Sequence, residues 1–457
     1  MGLLCGGYAI VASYWSLRNH WGFLTYGFDI SIFDQGVWLL SRFREPFVTV
    51  RGLNLFGDHT SFILIFLVPL YWIFNSAAVL LVAQATAMAV GGIAVFLIAR
   101  EKLRNEFMAT AFTLVYLLHP ALGWTNLENF HPDSFEVPLA LFAFFFMIKE
   151  RWRPFLVTVV LLLMVKEDVA LLTIPLGIYV ALVHHRVVGA VTAVTSLLWL
   201  VLVLRVVIPA LNEAGSMYEA RLAFGGIGGT MSALFTQPLD VVRLFFSESK
   251  PGYLLQLFAP VAALPLLGWR LGLLAVAPLA GNLLSTFPYQ HRIEYHYTTL
   301  IIPVLVVAAI YGASKVWSMR ARMLLTGAAA IAVLISAYVW GPAPFSRHPG
   351  PLGDPAGQFA IDAREVVGRI PRDAEVSAIP QMVPHLTQRS RIFEYPNPWI
   401  ASNWGDFSSN GERLPYADTV EYIVLYAEPD PEFIESLGND FSVALSNSSL
   451  MVLERVP

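Results

Sequence analysis

Cys5 is the single cysteine in 457 residues, so neither an intrachain disulfide nor a cysteine metal site is available. Charge is also scarce: 14% of residues are Asp, Glu, Lys or Arg, against about 25% in ordinary soluble domains. No ATPase loop is present, because Gly225-Gly226-Ile227-Gly228-Gly229 lacks a Gly-Lys-Ser/Thr ending and a preceding strand. The nucleophile elbow of hydrolases and the zinc-protease helix motif are missing too. Met1–Trp15 has no basic leader region or cleavage site, so it reads as a first transmembrane helix rather than a removed signal.

Apolar residues fill the space left by charge. They make up 56% of the chain, with a mean hydropathy of +0.60, and they come in repeated runs that imply a polytopic α-helical membrane protein. Expected spans cover residues 1–16, 77–99, 107–124, 135–148, 154–165, 169–183, 187–208, 252–267, 271–287, 298–314 and 323–340. The run 62–74 is too short to cross and reads as interfacial. That makes about eleven spans. Treating 154–165 and 169–183 as two short helices leaves 11 basic and 3 acidic residues in the loops 100–106, 149–153, 184–186, 270 and 315–322. The excess marks those loops as cytoplasmic. Their basic residues are therefore topology signals, not nucleic-acid sites.

Charge also divides the chain lengthwise. Residues 345–457 hold 8 Arg, no Lys and 16 Asp or Glu, while residues 1–344 hold 21 basic and 17 acidic residues. With the Pro/Gly-rich run Gly341–Gly357, this predicts a membrane domain over 1–344 and a soluble extracytoplasmic domain over 345–457. In the latter, helical patterns at 359–370 and 430–437 alternate with strand patterns at 375–379, 391–395, 421–426, 441–445 and 450–455, a small α/β domain.

Five polar clusters fall on the outer side of this topology. They are Asp29 with Asp34 in the first outer loop (17–60), Asp58-His59, Glu128/His131/Asp133, Lys166-Glu167-Asp168, and His291/Arg292/Glu294/His296. Ionisable groups at membrane depth cost several kcal/mol, so groups at span ends are functional candidates. Asp29 and Asp34 are the candidate catalytic bases or metal ligands. Pro132 places His131 at a turn, as a metal ligand or proton carrier. Lys166 and Arg292 could hold a phosphate, and Glu167 or Asp168 a proton or a metal. Each has a plainer alternative: capping, solvation, or an ion pair between neighbouring helices. Tyr295 and Tyr297 suit an interface without any chemistry, and Arg205 reads as a snorkelling side chain.

Several of these stretches together resemble a known family. They are Phe28-Asp29 with Ile32-Phe33-Asp34-Gln35-Gly36-Val37-Trp38, His59 ahead of Pro69-Leu70-Tyr71, Phe130-His131-Pro132, Lys166-Glu167-Asp168, and Tyr295-His296-Tyr297. The family comprises predicted multi-pass membrane proteins and carries only a domain-of-unknown-function designation. Its layout is similar to the GT-C superfamily of membrane glycosyltransferases: one helix, a long acidic outer loop, about ten further spans, then an outer domain. The chain departs from better-known branches in lacking an Asp-Glu pair in the first loop and a Trp-Trp-Asp motif in its tail.

The resemblance implies a polyprenyl-phosphate sugar donor and a cell-membrane enzyme of envelope glycan synthesis with an unidentified acceptor. Asp34 or Asp29 would be the base. Lys166 and Arg292 would steady the departing phosphate. His59, Glu128, His131, Glu167, Asp168, His296 and Tyr297 would line the substrate site. A divalent cation, Mg or Mn, would rest on Asp29, Asp34, Glu167 or His131 if one is used. Asp34, His131, Lys166 and His296 should then line one outer cavity. A lipid-linked-glycan flippase predicts inverted repeats and charges inside spans, and neither is evident. A non-catalytic assembly protein predicts that the clusters stay apart.

Overall fold

The structure, a computed structural model, describes residues 1–212, 218, 221–247, 249–405 and 407–456. Part of the expected outer loop 209–250 therefore lies outside the described residues. Helices dominate up to Trp340, and a five-stranded sheet occupies the end of the chain.

Helix α1 (Gly2–Trp21) runs five residues past the expected boundary. The polar loop after it holds α2 (Ile30–Ser41) and a small antiparallel ladder of β1 (Phe47–Val48) with β2 (Leu53–Asn54). A 3₁₀ turn leads into α3 (Val68–Ile73), so the run expected over 62–74 is a short helical stretch. Then come α4 (Ala78–Leu103), α5 (Glu106–Leu117), α6 (Pro120–Leu127), α7 (Glu136–Ile148), α8 (Trp152–Leu163), α9 (Ala170–Val183) and α10 (Arg186–Leu202). Four stretches are long and apolar enough to cross a bilayer: Ala78–Leu103, Arg186–Leu211, His296–Ser314 and Met319–Trp340. The pair α5 and α6 makes a fifth if counted as one span.

Two expected spans are broken. The run 107–124 bends by 46° between α5 and α6. Pro120 opens α6 and holds the preceding His119 at ψ 124, outside helical space. The expected hairpin over 252–287 keeps its second arm as the helical stretch Trp269–Leu284, which ends in α14 (Val276–Leu284), but its first arm is a string of short pieces after α13 (Lys250–Phe258). Pro260 and Pro265 interrupt it, and Ala262 and Ala263 take positive φ. Apolar periodicity predicted the burial here but not the prolines' removal of amide donors. Ahead of these, α11 (Gly226–Thr236) and α12 (Pro238–Phe245) occupy the loop. By contrast, α8 and α9 are separate helices, parted by an extended Lys166 at φ −164.

Burial separates the long helices. The stretch containing α15 (Ile301–Ser314) is apolar on every face and is packed on nearly every face. Arg186–Leu211 instead exposes Val187, Val191, Val194, Leu198 and Val201, and α16 (Met319–Trp340) exposes Leu324, Ile331, Leu334 and Ile335. Hiding each such side chain from water is worth about 1.5–3 kcal/mol, so these surfaces suit lipid.

Past Trp340, α17 (Gln358–Arg369) lies on a sheet ordered β4-β3-β5-β7-β6. Its strands are β3 (Val376–Ala378), β4 (Ile392–Glu394), β5 (Tyr422–Tyr426), β6 (Phe441–Ser446) and β7 (Leu450–Arg455). β3 pairs in parallel with β4 and β5, and β5, β7 and β6 run antiparallel. Helix α18 (Pro431–Ser436) links β5 to β6. These elements match the expected tail to within two residues. The sheet does not stand apart from the helices. Thr49 donates to the Ile392 carbonyl at 2.7 Å and accepts from the Ile392 amide at 2.9 Å. Gln35 reaches Thr49 at 3.0 Å, and Arg51 pairs with Glu394 at 3.5 Å. The first loop is thus sewn to the end of the chain.

Helices α9 and α10 touch backbone to backbone. A Cβ on Gly189 would lie 2.0 Å from the Ala181 amide nitrogen, and one on Gly177 would lie 2.5 Å from that of Ala193. Small residues permit such approach between membrane helices. We expect Gly189→Val to lower the thermal midpoint in detergent by several degrees. Gly327→Val, where nothing lies within 4 Å, should leave it unchanged. Equal midpoints for the two variants would remove this account of the hairpin.

Candidate functional site

The site is built where helices stop. Helix α6 ends at Glu128, Asn129 turns back with φ 66, and Pro132 starts a 3₁₀ turn that feeds α7. A buried glutamine in α4 holds this turn in place. Gln84 donates to the carbonyls of Thr125, Asn126 and Asn129 and accepts from the His131 amide. Glu128 and His131 are thereby fixed, at the cost of one polar side chain inside an apolar span.

Opposite them, the turn leading into α15 supplies His296. Its amide donates to Glu128 Oε2 at 2.6 Å, and its Nδ1 lies 3.2 Å from the same oxygen. The rings of His131 and His296 stack at 3.8 Å. His131 Nε2 faces Asp29 Oδ2 at 3.3 Å. Asp29 caps α2 with φ 64 and ψ −86, a left-handed conformation rare outside glycine. Strain of this kind concentrates at working sites. Burial works against a charged His131, but Asp29 and Glu128 outweigh it and hold the ring up at about 9. For Glu128, burial is the larger influence and pushes the carboxyl upward.

Two residues beyond His131, Asp133 Oδ1 binds Lys166 Nζ at 3.0 Å, and Asp168 Oδ2 lies 3.7 Å from the same nitrogen. Glu136, one turn along, accepts from Thr299 at 2.7 Å and shares the space between Asp133 and Asp168. Burial opposes the Lys166 charge, and Asp133, Asp168 and Glu167 overcome it. Burial lifts Asp168 to about 6 despite Lys166. Glu167 turns the other way and meets His59 Nδ1 at 2.7 Å. His59 stacks on Tyr218 at 4.6 Å, and Tyr218 donates to Asp58 at 2.5 Å. Arg221 closes the row. Its guanidinium lies over the rings of Tyr218 and Phe287 at 4.5 and 4.1 Å and donates to the Tyr297 hydroxyl at 3.3 Å.

Asp29, His59, Glu128, His131, Lys166, Glu167, Asp168, His296 and Tyr297 therefore come together from distant loops. Asp34 and Arg292 do not join them. Arg292 is exposed on its turn. Asp34 is fully buried on the far side of α2, where it accepts from the hydroxyls of Tyr71 (2.6 Å) and Thr387. Five residues along a helix rotate a side chain by about 140°, so the two aspartates face different neighbours. The expected cavity shared by Asp34, His131, Lys166 and His296 is thus corrected: three of the four assemble.

Sequence reasoning missed Gln84, Glu136, Tyr218 and Arg221. Two carried a signal. Gln84 is a polar residue inside an apolar run, and Glu136 follows Asp133 at helical spacing. Tyr218 and Arg221 sit in a loop without a motif, and only folding brings them near.

A divalent metal fits one part of this arrangement. Ligand atoms of Glu128, His131 and His296 lie within 4.8 Å of one another. His131 Nδ1 is buried without a hydrogen-bond partner, while Nε2 faces Asp29; a buried polar atom left unpaired is costly. Imidazole and carboxylate together suit first-row divalent ions. The second acidic group, Asp133, Glu136 and Asp168, already surrounds the Lys166 ammonium.

The comparisons with known proteins agree with this architecture. Residues 19–437 match a family model described as "Predicted membrane protein (DUF2079)". ArnT from Cupriavidus metallidurans in its apo state has a similar structure, with a TM-score of 0.60 at 12% identity over 99% of this chain and 97% of that one. The same protein bound to undecaprenyl phosphate gives 0.56 at 13% identity over 99% and 98%. At such identity the likeness concerns the fold. No curated protein sequence matches the chain.

Burial raises the Asp34 carboxyl, and the bonds from Thr387 and Tyr71 only partly offset it. A carboxyl raised by folding stabilises fully below its unfolded value near 3.8, and that contribution is lost as pH rises through the folded value. Asp34→Asn should therefore flatten the fall in thermal midpoint as pH rises above about 4. Parallel melting curves for variant and wild type across that range would contradict this.

Proposed function

The chain belongs to the DUF2079 family of predicted membrane proteins, and from that premise we propose an integral membrane glycosyltransferase that takes its sugar from a polyprenyl-phosphate carrier. The observation that carries the proposal is the convergence of Asp29, Glu128, His131, Lys166, Arg221 and His296 on one place at the helix ends. A non-catalytic assembly protein would not need it. Support also comes from the ArnT-like fold and from the undecaprenyl phosphate bound to that protein. In this reading the short helices cross as tilted or broken spans, about eleven in all. Residues 1–344 form the membrane domain, and 345–457 form an extracytoplasmic domain over the site.

Asp29, partly open to solvent, is the base best placed for the reaction; Asp34 is sealed away. Asp29 takes the proton of an acceptor hydroxyl, whose oxygen attacks the anomeric carbon while the bond from that carbon to the phosphate oxygen breaks. The electron pair leaves with the lipid phosphate. Lys166 is already neutralised by two carboxylates, whereas Arg221 rests on aromatic rings and hydroxyls and keeps donors for the phosphate. Glu128 and the two stacked histidines would hold a divalent ion, whose positive charge would assist departure of the phosphate. His59, Glu167, Asp168 and Tyr297 shape the remaining walls, and the exposed apolar helices accommodate the polyprenyl chain.

The test incubates purified protein with a panel of polyprenyl-phosphate sugars and follows release of lipid phosphate. Asp29→Asn should slow turnover by about 10²–10⁴-fold, and Arg221→Ala by about 10²-fold. Asp34→Asn should keep most of it. Full turnover in both Asp29→Asn and Arg221→Ala would refute the assignment.

A further inference from the structure

A second recess lies away from the charged cluster, at the seam between the end of α1 and the sheet region. It encloses about 460 Å³ and is lined by Trp21, Phe23, Pro355, Arg364, Val367 and His385. Four of the six linings are apolar. Arg364 stands on the outward face of α17 and makes no hydrogen bond or ion pair among the described residues. His385 is clamped between His20 and Phe23, with ring centroids 4.2 and 3.8 Å away, and its Nε2 is buried without a partner. The recess therefore offers a cation, one unused ring nitrogen and an aromatic wall. That combination suits the junction of an anionic head with a hydrocarbon tail.

Helix α1 supplies the path for such a tail. Leu3, Ile10, Tyr14 and Trp21 are spaced by seven, four and seven residues, so they share one face of the helix. All four are exposed, at 94, 71, 56 and 49%. The stripe runs toward the recess and changes from aliphatic to aromatic on the way, as side chains do on approaching a membrane–water boundary. Arg18 does not line the recess; it donates to the Gly353 carbonyl at 2.8 Å and to Tyr14 at 3.1 Å. Arg364 is thus the cation at the head of the stripe.

We propose that this recess binds an anionic membrane phospholipid. Its phosphate sits on Arg364, its glycerol region lies between Trp21 and Val367, and one chain follows Ile10 and Leu3 along α1. Residues 345–457 carry a net charge of −8, which by itself repels an anionic bilayer surface. One lipid held at the seam anchors that region against the repulsion. The site does not depend on the glycosyltransferase reading, and its test uses no turnover.

The experiment is native mass spectrometry on delipidated full-length protein in detergent. The probes are dioleoylphosphatidylglycerol, dioleoylphosphatidylcholine and undecaprenyl phosphate, each added alone and in competition. Wild-type protein should retain one phosphatidylglycerol roughly tenfold more tightly than phosphatidylcholine, because both offer a phosphate to Arg364 but only phosphatidylcholine brings a choline cation beside that guanidinium. Arg364→Ala and the cavity-filling Val367→Trp should each lose that one lipid. Arg369→Ala, on the same helix outside the recess, should keep it. Equal retention of the two phospholipids, or wild-type retention by Arg364→Ala, overturns the proposal. So does tighter, Arg364-dependent binding of undecaprenyl phosphate, which would make the recess an isoprenoid-phosphate site.

Discussion

A charge drawn out of water at the edge of a bilayer must meet its opposite or give up its proton, and this constraint governs how the helices end. Lys166 is tolerated because Asp133 and Asp168 surround it. Glu128 is tolerated because an amide and an imidazole of His296 face it. None of these pairs forms within a regular helix. Each lies at a break: the left-handed Asn129, the extended Lys166, the 3₁₀ turn at His296. Breaking a helix frees backbone groups, and the side chains that need compensation are well placed to satisfy them. Gln84 does so for the turn at 125–131. The pairs are weak evidence for stability, since desolvation consumes most of what the attraction gives.

The same constraint separates the two aspartates of α2. One caps an apolar helix and the other lies within it, and each had to find partners on its own side. Asp29 found an imidazole at the edge of the charged cluster. Asp34 found two hydroxyls, one from α3 and one from a segment 353 residues later. One is partly open to solvent. The other acts as a bolt between the first loop and the sheet region.

Much of this was legible in the chain. The tail elements were readable because β-branched runs are punctuated by Gly, Pro and Asp. The break between α8 and α9 was readable because three consecutive charged residues interrupt an apolar run. Most cluster members were readable too, since ionisable residues at span ends are rare. What could not be read is which residues meet. Asp34 has the same neighbours in sequence as a catalytic carboxylate would have; its seclusion depends on Tyr71 and Thr387. Arg221 looks like any loop arginine until Tyr218 and Phe287 are placed beneath it. The fragmented stretch 259–267 escaped because hydrophobicity reports burial, while Pro260 and Pro265 decided the backbone.

The stitching of β1 and β2 to the sheet has a consequence for biogenesis. The bond from Thr49 to Ile392 joins residues 343 positions apart, so the first loop leaves the ribosome long before its partner strand exists. Until the last quarter of the polypeptide is made and delivered, Thr49 and Arg51 lack Ile392 and Glu394, and Phe28 lacks the Trp404 ring that packs edge-on against it. A nascent chain, or one cut short before Ile392, would therefore carry its first loop without these partners and open to proteases.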